Sequence, residues 1–160
     1  MKKILNIDQA IQVAKDLNKK GKTIVLAGGC FDILHVGHIA YLTGAKKAGD
    51  VLFIFLESDD NIKKLKGNNR PLNTQTDRAI ILENLEMTDY VIPLPRVEND
   101  TDYDRLVISI KPAIIAITKG DPTREHKDRQ AKLVNGKVLG VSAPIVNKST
   151  TRLINILNEI

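Results

Sequence analysis

The sequence has no tryptophan, one cysteine and only six aromatic residues, and its longest wholly apolar runs, such as Val51–Leu56, are five or six residues long. Each shortage excludes something. One cysteine cannot make an internal disulfide framework. A transmembrane helix needs about 20 apolar residues, so no segment here spans a bilayer. Binding single-stranded nucleic acid by stacking needs exposed aromatics among basic residues, and Phe53 and Phe55 lie inside an apolar run. The N-terminus has no charged-then-apolar leader, which points to a cytoplasmic protein. No internal repeat and no low-complexity stretch is present.

What is present is a chain of 160 residues with 24 Lys and Arg against 19 Asp and Glu, a net charge of +5. That length suits one domain, residues 1–160, with a core large enough to need neither disulfide nor structural metal. Residues 1–21 read as a leading helix and 23–160 as the core. The positive balance indicates an anionic partner, and a small phosphorylated ligand suits it better than nucleic acid.

Residues Ile7, Ala10, Ile11, Ala14 and Leu17 recur at helical spacing, opened by Asn6 with Gln9 three places on and closed by Gly21. Strand-like runs follow at 23–27, 51–57, 90–94, 113–117 and 137–142. Helical patterns lie between them at 38–48, 76–86, 102–110 and 124–134. A last one covers 149–158, with Leu153, Ile156, Leu157 and Ile160 in register. The runs at 51–57, up to its closing Glu57, and 113–117 are apolar rather than alternating, as strands covered on both faces should be. Such alternation predicts an α/β fold, a doubly wound parallel sheet of about five strands with helices on both faces. Ligands then bind beyond the carboxyl ends of the strands, where the winding reverses. The segments to search are Gly28–His38, Ser58–Arg70 and Thr118–Asp121.

The first segment reads Gly28-Gly29-Cys30-Phe31-Asp32-Ile33-Leu34-His35-Val36-Gly37-His38. Two glycines after a buried strand allow a sharp turn and close backbone approach to a ligand, and the next helix aims its positive end at the same place. The spacing fits neither a dinucleotide fingerprint nor a Walker loop. His35 and His38, three apart near a helix start, share one face and can donate to phosphate oxygens. The competing readings are a buried pair bonded to backbone carbonyls, or a zinc site, for which a third ligand is lacking.

This segment resembles the HxGH signature of the cytidylyltransferase-like nucleotidyltransferase superfamily. The similarity continues through Tyr41-Leu42, Ala45-Lys46, Gly49-Asp50, Ser58-Asp59, Leu65-Lys66-Gly67, Arg70-Pro71-Leu72-Asn73, Asp77-Arg78-Ala79, Asp89-Tyr90-Val91 and Ser149-Thr150-Thr151. Within the superfamily the chain is most similar to the adenylyltransferase domain of ADP-heptose synthases, including the leading helix. The resemblance implies a Rossmann-like fold and transfer of a nucleoside monophosphate to a phosphorylated acceptor with release of pyrophosphate. It implies that His35 and His38 hold the nucleotide phosphates and stabilise the transition state, and that the backbone of Gly29, Cys30 and Phe31 meets the triphosphate. Lys66 and Arg70 supply positive charge. Lys119, Gly120 and Asp121 fall near nucleobase and ribose, and Ser149, Thr150 and Thr151 receive β- and γ-phosphates. Asp32, Lys64, Lys66 and Arg70 are candidates for contact with the acceptor. Mg²⁺ is expected through the phosphates, without direct protein ligands, and ATP is favoured over CTP. Dimers are common among similar proteins, so a homodimer is an expectation by analogy.

Each residue also has a plainer reading. Lys66 and Arg70 are solvated loop charges, Ser149 is only an N-cap, and Asp32 accepts from the turn backbone or lies near metal and acceptor. Cys30 is a small semi-buried side chain rather than a nucleophile. Lys46 sits on a helix surface or touches phosphate, and His126 is a surface residue. The sequence departs from the family pattern at Gly28, Glu57, the stretch Leu94–Asp100, and Lys119-Gly120-Asp121-Pro122. These departures gather where the acceptor is expected. The alternatives are therefore a glycerol-3-phosphate cytidylyltransferase, a flavin-nucleotide synthase, and, without catalysis, a nucleotide- or RNA-binding module.

Overall fold

The computed structural model describes residues 2–145 and 149–158. Asn6 caps helix α1 (Ile7–Lys19): its side chain accepts from the Gln9 N–H at 2.9 Å while Gln9 Oε1 accepts from the Asn6 N–H at 3.0 Å. Two otherwise orphaned donors are thereby satisfied. Just before it, Lys3 and Leu5 exchange hydrogen bonds with Val91 at 2.9 Å, adding a short edge to the sheet that the sequence did not announce.

Five strands, β1 (Ile24–Gly29), β2 (Val51–Leu56), β3 (Tyr90–Pro93), β4 (Ile114–Thr118) and β5 (Lys137–Ser142), form one wholly parallel sheet in the order β3-β2-β1-β4-β5. The helices between and after them are α2 (Val36–Lys47), α3 (Asp59–Lys66), α4 (Gln75–Glu83), α5 (Asp100–Ile110), α6 (Arg124–Leu133) and α7 (Thr150–Asn158). The doubly wound α/β expectation is met. Strand alternation splits the core into two layers. Leu26, Phe53, Phe55 and Ile115 pack against α1, α5 and α6, while Val25, Ala27, Ile54 and Leu56 pack against α2 and α4. Each such large apolar side chain contributes about 1.5–3 kcal/mol on burial.

The winding reverses between β1 and β4. From β1 the chain proceeds outward through β2 and β3 with α2 and α4 on one face, then returns to β4 and β5 with α5 and α6 on the other. Helix α2 lies against the sheet because Gly44 permits it: a Cβ there would stand 2.4 Å from the Val141 carbonyl oxygen. This approach fixes the position of the helix start that carries both motif histidines.

Three expectations are corrected. Gly28 and Gly29 are not the turn but the last two residues of β1, paired with Phe55 and Leu56. The left-handed residue of the turn is Phe31, with φ of 47°. Gly29 is required by packing instead, since a Cβ would meet the Phe31 ring at 2.9 Å. Helix α2 begins at Val36, two residues before His38, because His35 caps it. Residues 59–66, expected to be loop, form α3. Ser58 Oγ accepts from the Asn61 N–H at 3.2 Å, Asp59 and Asp60 occupy its first turn, and Lys63, Lys64 and Lys66 its last. That charge order complements the helix dipole. Of the apolar stripe expected in the last helix, Ile160 lies outside the described residues; the leading helix, read as 1–21, covers only Ile7–Lys19 because residues 3–5 pair with Val91, and the other boundaries shift by up to three residues. No helix of the described residues is long and apolar enough to cross a membrane.

Candidate active site

The site is assembled at the carboxyl ends of β1 and β4, and its centre is the start of α2. His35 Nδ1 accepts from the Gly37 N–H at 3.1 Å. In the neutral imidazole the proton is then on Nε2, which leaves His35 a donor for an incoming anion. The His35 and His38 rings stack with centroids 3.9 Å apart, and Phe31 packs on His38 at 5.2 Å. Burial lowers the pKa of His35. Burial, His35 and Lys66 together bring His38 down to about 4. Both imidazoles are therefore neutral at pH 7 in the free protein, and negative charge brought to them favours protonation. His38 Nδ1 is buried and has no hydrogen-bond partner among the described residues.

Arginine 78 holds the turn together from beneath. Its side chain is fully buried. Nε donates to the Asn73 carbonyl at 3.1 Å, Nη1 to the Cys30 carbonyl, and Nη2 to the Glu57 carbonyl at 2.9 Å and to Asp59 at 2.6 Å. One guanidinium thus joins the ends of β1 and β2 to the segment before α4, using the rigid fork that lysine lacks. Sequence reading noticed Arg78 only as part of a motif. An arginine amid the α4 apolar positions, which include the buried Ala79 and Leu82, was the signal that marks it as interior.

Asp32 is likewise buried. It accepts from Arg70 Nε at 2.7 Å, from the Leu72 N–H at 2.9 Å and from the Asn73 N–H at 3.0 Å. Burial pushes its pKa up, but the Asn73 and Leu72 N–H groups and Arg70 outweigh that and hold it below the usual range. With both oxygens engaged, Asp32 is a positioning group for residues 70–73. Of the two readings open to Asp32, these contacts match the first, acceptance from backbone N–H groups. Arg70 is buried as well, and its Nη2 has no hydrogen-bond partner among the described residues. It is therefore no solvated loop charge.

Lys64 and Lys66 are exposed on the last turn of α3. The charge of Lys66 is felt at Cys30 and at His38. Burial raises the Cys30 thiol pKa despite that cation, so the thiol stays protonated at neutral pH. Lys46 lies at the far end of α2, where Nζ meets Asp89 at 2.6 Å and the Asp50 carbonyl at 2.7 Å. Its reading as a phosphate contact is corrected: it ties together the amino ends of the strands.

The third and last segments arrive beside the same turn. Thr150 Oγ1 donates to the Ile33 carbonyl at 2.9 Å, bringing the start of α7 to the HxGH turn. Ser149 Oγ accepts from the Arg152 N–H at 3.2 Å, so Ser149 is an N-cap, while Ser149 and Thr151 are exposed. After β4, Lys119 N–H donates to the Ser142 carbonyl at 2.8 Å, Gly120 adopts φ of 79°, and Asp121 accepts from Thr123 N–H and Oγ1 at 2.7 Å each. Tyr41 spans the winding reversal: its hydroxyl donates to the Ala116 carbonyl at 2.9 Å and accepts from the Gly28 N–H at 3.3 Å. Burial pushes its pKa up to about 12.

Between α5, α6 and the strand ends lies a cavity of about 440 Å³. Gly28, Gly29, Tyr41, Glu57 and Asp121 line it on the strand side, and Tyr103, His126 and Lys127 on the helix side. Such a volume is ordinary for a small-ligand site. His126 is exposed as expected, within 3.2 Å of Asp100, yet forms part of this rim. Tyr103, Lys127 and Asp100 were missed. Their helices were legible in the sequence, but which side chains overhang the strand ends depends on how α5 and α6 lie.

Comparison with known proteins agrees with this architecture. Residues 26–155 match the family model described as cytidylyltransferase-like. The bifunctional protein HldE of Nitratiruptor is 41% identical over 155 residues, covering 94% of this chain and 31% of that protein. HldE of Pectobacterium atrosepticum is 39% identical over 153 residues, covering 94% and 30%. The chain thus spans about a third of the length of these curated relatives. Among solved structures, the lipopolysaccharide core biosynthesis protein of Thermoplasma volcanium superposes with a TM-score of 0.64 at 30% identity, over 78% of this chain and all of that one. Pantoate-beta-alanine ligase of Francisella tularensis, with a TM-score of 0.58 at 17% identity, over 98% of this chain and 78% of that one, shares the fold.

Proposed function

The chain belongs to the cytidylyltransferase-like family and is a nucleotidyltransferase, and from that premise we propose that it transfers AMP from ATP to a sugar 1-phosphate, as a single domain of cytoplasmic type. A phosphate oxygen of the acceptor attacks the α-phosphorus in line, the bond to the bridging oxygen breaks, and pyrophosphate leaves. The observation that carries the reading is the stacked His35–His38 pair at the start of α2, in which the buried His38 Nδ1 has no hydrogen-bond partner among the described residues, as is true of the buried Nη2 of Arg70, whose Nε is paired with Asp32 of the same turn. Unsatisfied buried donors are costly, and phosphate oxygens satisfy them.

In this reading His35 donates through Nε2 to the triphosphate, and His38 gains a proton as charge builds on the leaving oxygen. Lys66 and Arg70 neutralise the phosphates of nucleotide and acceptor, with Lys64 at the outer edge. The Gly29-Cys30-Phe31 backbone and the Ser149-Thr150-Thr151 helix start cradle the triphosphate, and Lys119, Gly120 and Asp121 flank base and ribose. Removing one such donor costs roughly 10²–10³ in turnover. Among the described residues no group of three or more His, Cys, Asp or Glu side chains converges to hold a metal. In this reading Mg²⁺ belongs to the substrate, carried on the phosphates and neutralising their charge. A sugar acceptor is supported by the resemblance to ADP-heptose synthases and by the solved relative named for lipopolysaccharide core biosynthesis.

The test is pyrophosphate release over the four nucleoside triphosphates against sugar 1-phosphates, glycerol 3-phosphate and FMN. Release with ATP and a sugar 1-phosphate is expected. Release with CTP and glycerol 3-phosphate, or with ATP and FMN, overturns the substrate assignment, and salt-dependent polynucleotide binding without any release favours the binding module.

A further inference from the structure

The helix-side wall of the 440 Å³ cavity carries an unused cation. Lys127, on α6, is half-buried, and its ammonium forms no hydrogen bond or ion pair with any described residue. Glu57, Asp100 and Asp121 line the same cavity and act on it electrostatically. Burial lowers its pKa against the pull of those three carboxylates. Across the cavity, Glu57 is presented by Tyr103, whose hydroxyl donates to Oε2, while Oε1 accepts from the Ser58 N–H and Asn61 Nδ2 at 3.0 Å. The floor between them is apolar, formed by Leu26, Phe55 and Ile115 among others.

An ammonium surrounded by carboxylates that it does not touch leaves a gap of defined chemistry. The group that fills it must accept from the ammonium and donate to the carboxylates. A neutral hydroxyl does both. A carboxylate or second phosphate in the same place meets Lys127 and the carboxylates of Glu57 and Asp121, with Asp100 already engaged by His126 and Arg129, and is repelled. A three-carbon glycerol body leaves most of the volume to water.

We propose that Lys127 and the Glu57–Tyr103 pair form the subsite for the body of the acceptor, selecting an uncharged, hydroxyl-rich body and rejecting one that bears a carboxylate. This rests on the nucleotidyl-transfer reading, in which the acceptor phosphate faces the HxGH turn and its body extends into this cavity. Lys127 contacts the acceptor, and Tyr103 positions Glu57.

The test compares the intact protein with Lys127→Met and Tyr103→Phe, using mannose 1-phosphate and glucuronic acid 1-phosphate as probes. Pyrophosphate release gives KM for each probe, and calorimetry gives binding of ATP and of mannose 1-phosphate separately. Lys127→Met is expected to weaken mannose 1-phosphate roughly ten- to hundredfold, the loss of a charge-assisted hydrogen bond, with ATP binding unchanged. Tyr103→Phe is expected to raise KM for mannose 1-phosphate while leaving the Kd for ATP and the folded fraction unchanged. The intact protein is expected to prefer mannose 1-phosphate to glucuronic acid 1-phosphate. Equal use of the two probes overturns the inference, as does a Lys127→Met protein that binds mannose 1-phosphate normally or loses ATP affinity instead. Mannose 1-phosphate binding that depends on Lys127, without pyrophosphate release from any triphosphate, retains the subsite and overturns the transfer reading.

Discussion

Replacing Arg78 by leucine should unfold much of the site from below. The guanidinium is fully buried and serves the Asn73, Cys30 and Glu57 carbonyls and the Asp59 carboxylate. A hydrogen bond to a charged donor is worth about 1.5–3 kcal/mol, so three carbonyls set an upper limit well above what relaxation and entering water would leave. The Asp59 side chain is 34% exposed, which limits that ion pair to about 1 kcal/mol. The expected cost of Arg78→Leu is therefore about 3–5 kcal/mol, as when one partner of a buried charged network is removed. That is a large share of the 5–15 kcal/mol typical of a whole domain. With urea m-values of about 1–3 kcal/mol/M, the unfolding midpoint should fall by about 2 M. Arg78→Lys should recover less than half, because an ammonium cannot reach all four acceptors in one plane. A midpoint within 0.5 M of the parent, roughly 1 kcal/mol by the same slope, would refute the role given to Arg78.

Three further outcomes follow from the same contacts. Gly29→Ala places a methyl against the Phe31 ring and should cost about 1–3 kcal/mol in urea unfolding, with a displaced His38 ring seen as a changed imidazole NMR shift; an unchanged midpoint and shift would contradict the packing. Asp89→Asn weakens the contacts to Lys46 and the Leu52 N–H and should lower the melting temperature without changing pyrophosphate release per folded molecule, since it lies at the opposite end of the sheet. His38 has a value of about 4 when folded against 6.5 ordinarily, so the unfolded chain binds more protons between these pH values and stability should fall as pH drops from 6.5 to 4. His38→Gln should flatten that slope, and equal slopes for the two proteins in urea unfolding at a series of pH values would disprove it.

The division of labour between sequence and structure is visible in single residues. The sheet was legible because β2 and β4 are buried on both faces and read as unbroken apolar runs, and α1 because Asn6 and Gln9 form a reciprocal cap. Helix α3 was not legible, because eight residues with Ile62 as the only buried apolar side chain carry no period. The histidines were found by their position after a buried strand. The identity of the turn was misplaced by two residues, since glycines suggest left-handed backbone and here Gly29 is needed for the ring of Phe31 instead. Arg70 and Asp32, 38 positions apart, gave no local sign of becoming a buried pair. Lys127 gave none either, because its meaning comes from three carboxylates on other elements.

The central claim is that the HxGH turn neutralises charge developing on a departing pyrophosphate. It is tested most directly by single-turnover pyrophosphate release from ATP and a sugar 1-phosphate by His38→Ala, alongside circular dichroism and urea unfolding at pH 7.5. The account predicts release slowed by roughly 10²–10³ in a protein that is folded and still binds ATP. Release at the parent rate from that folded protein would contradict it.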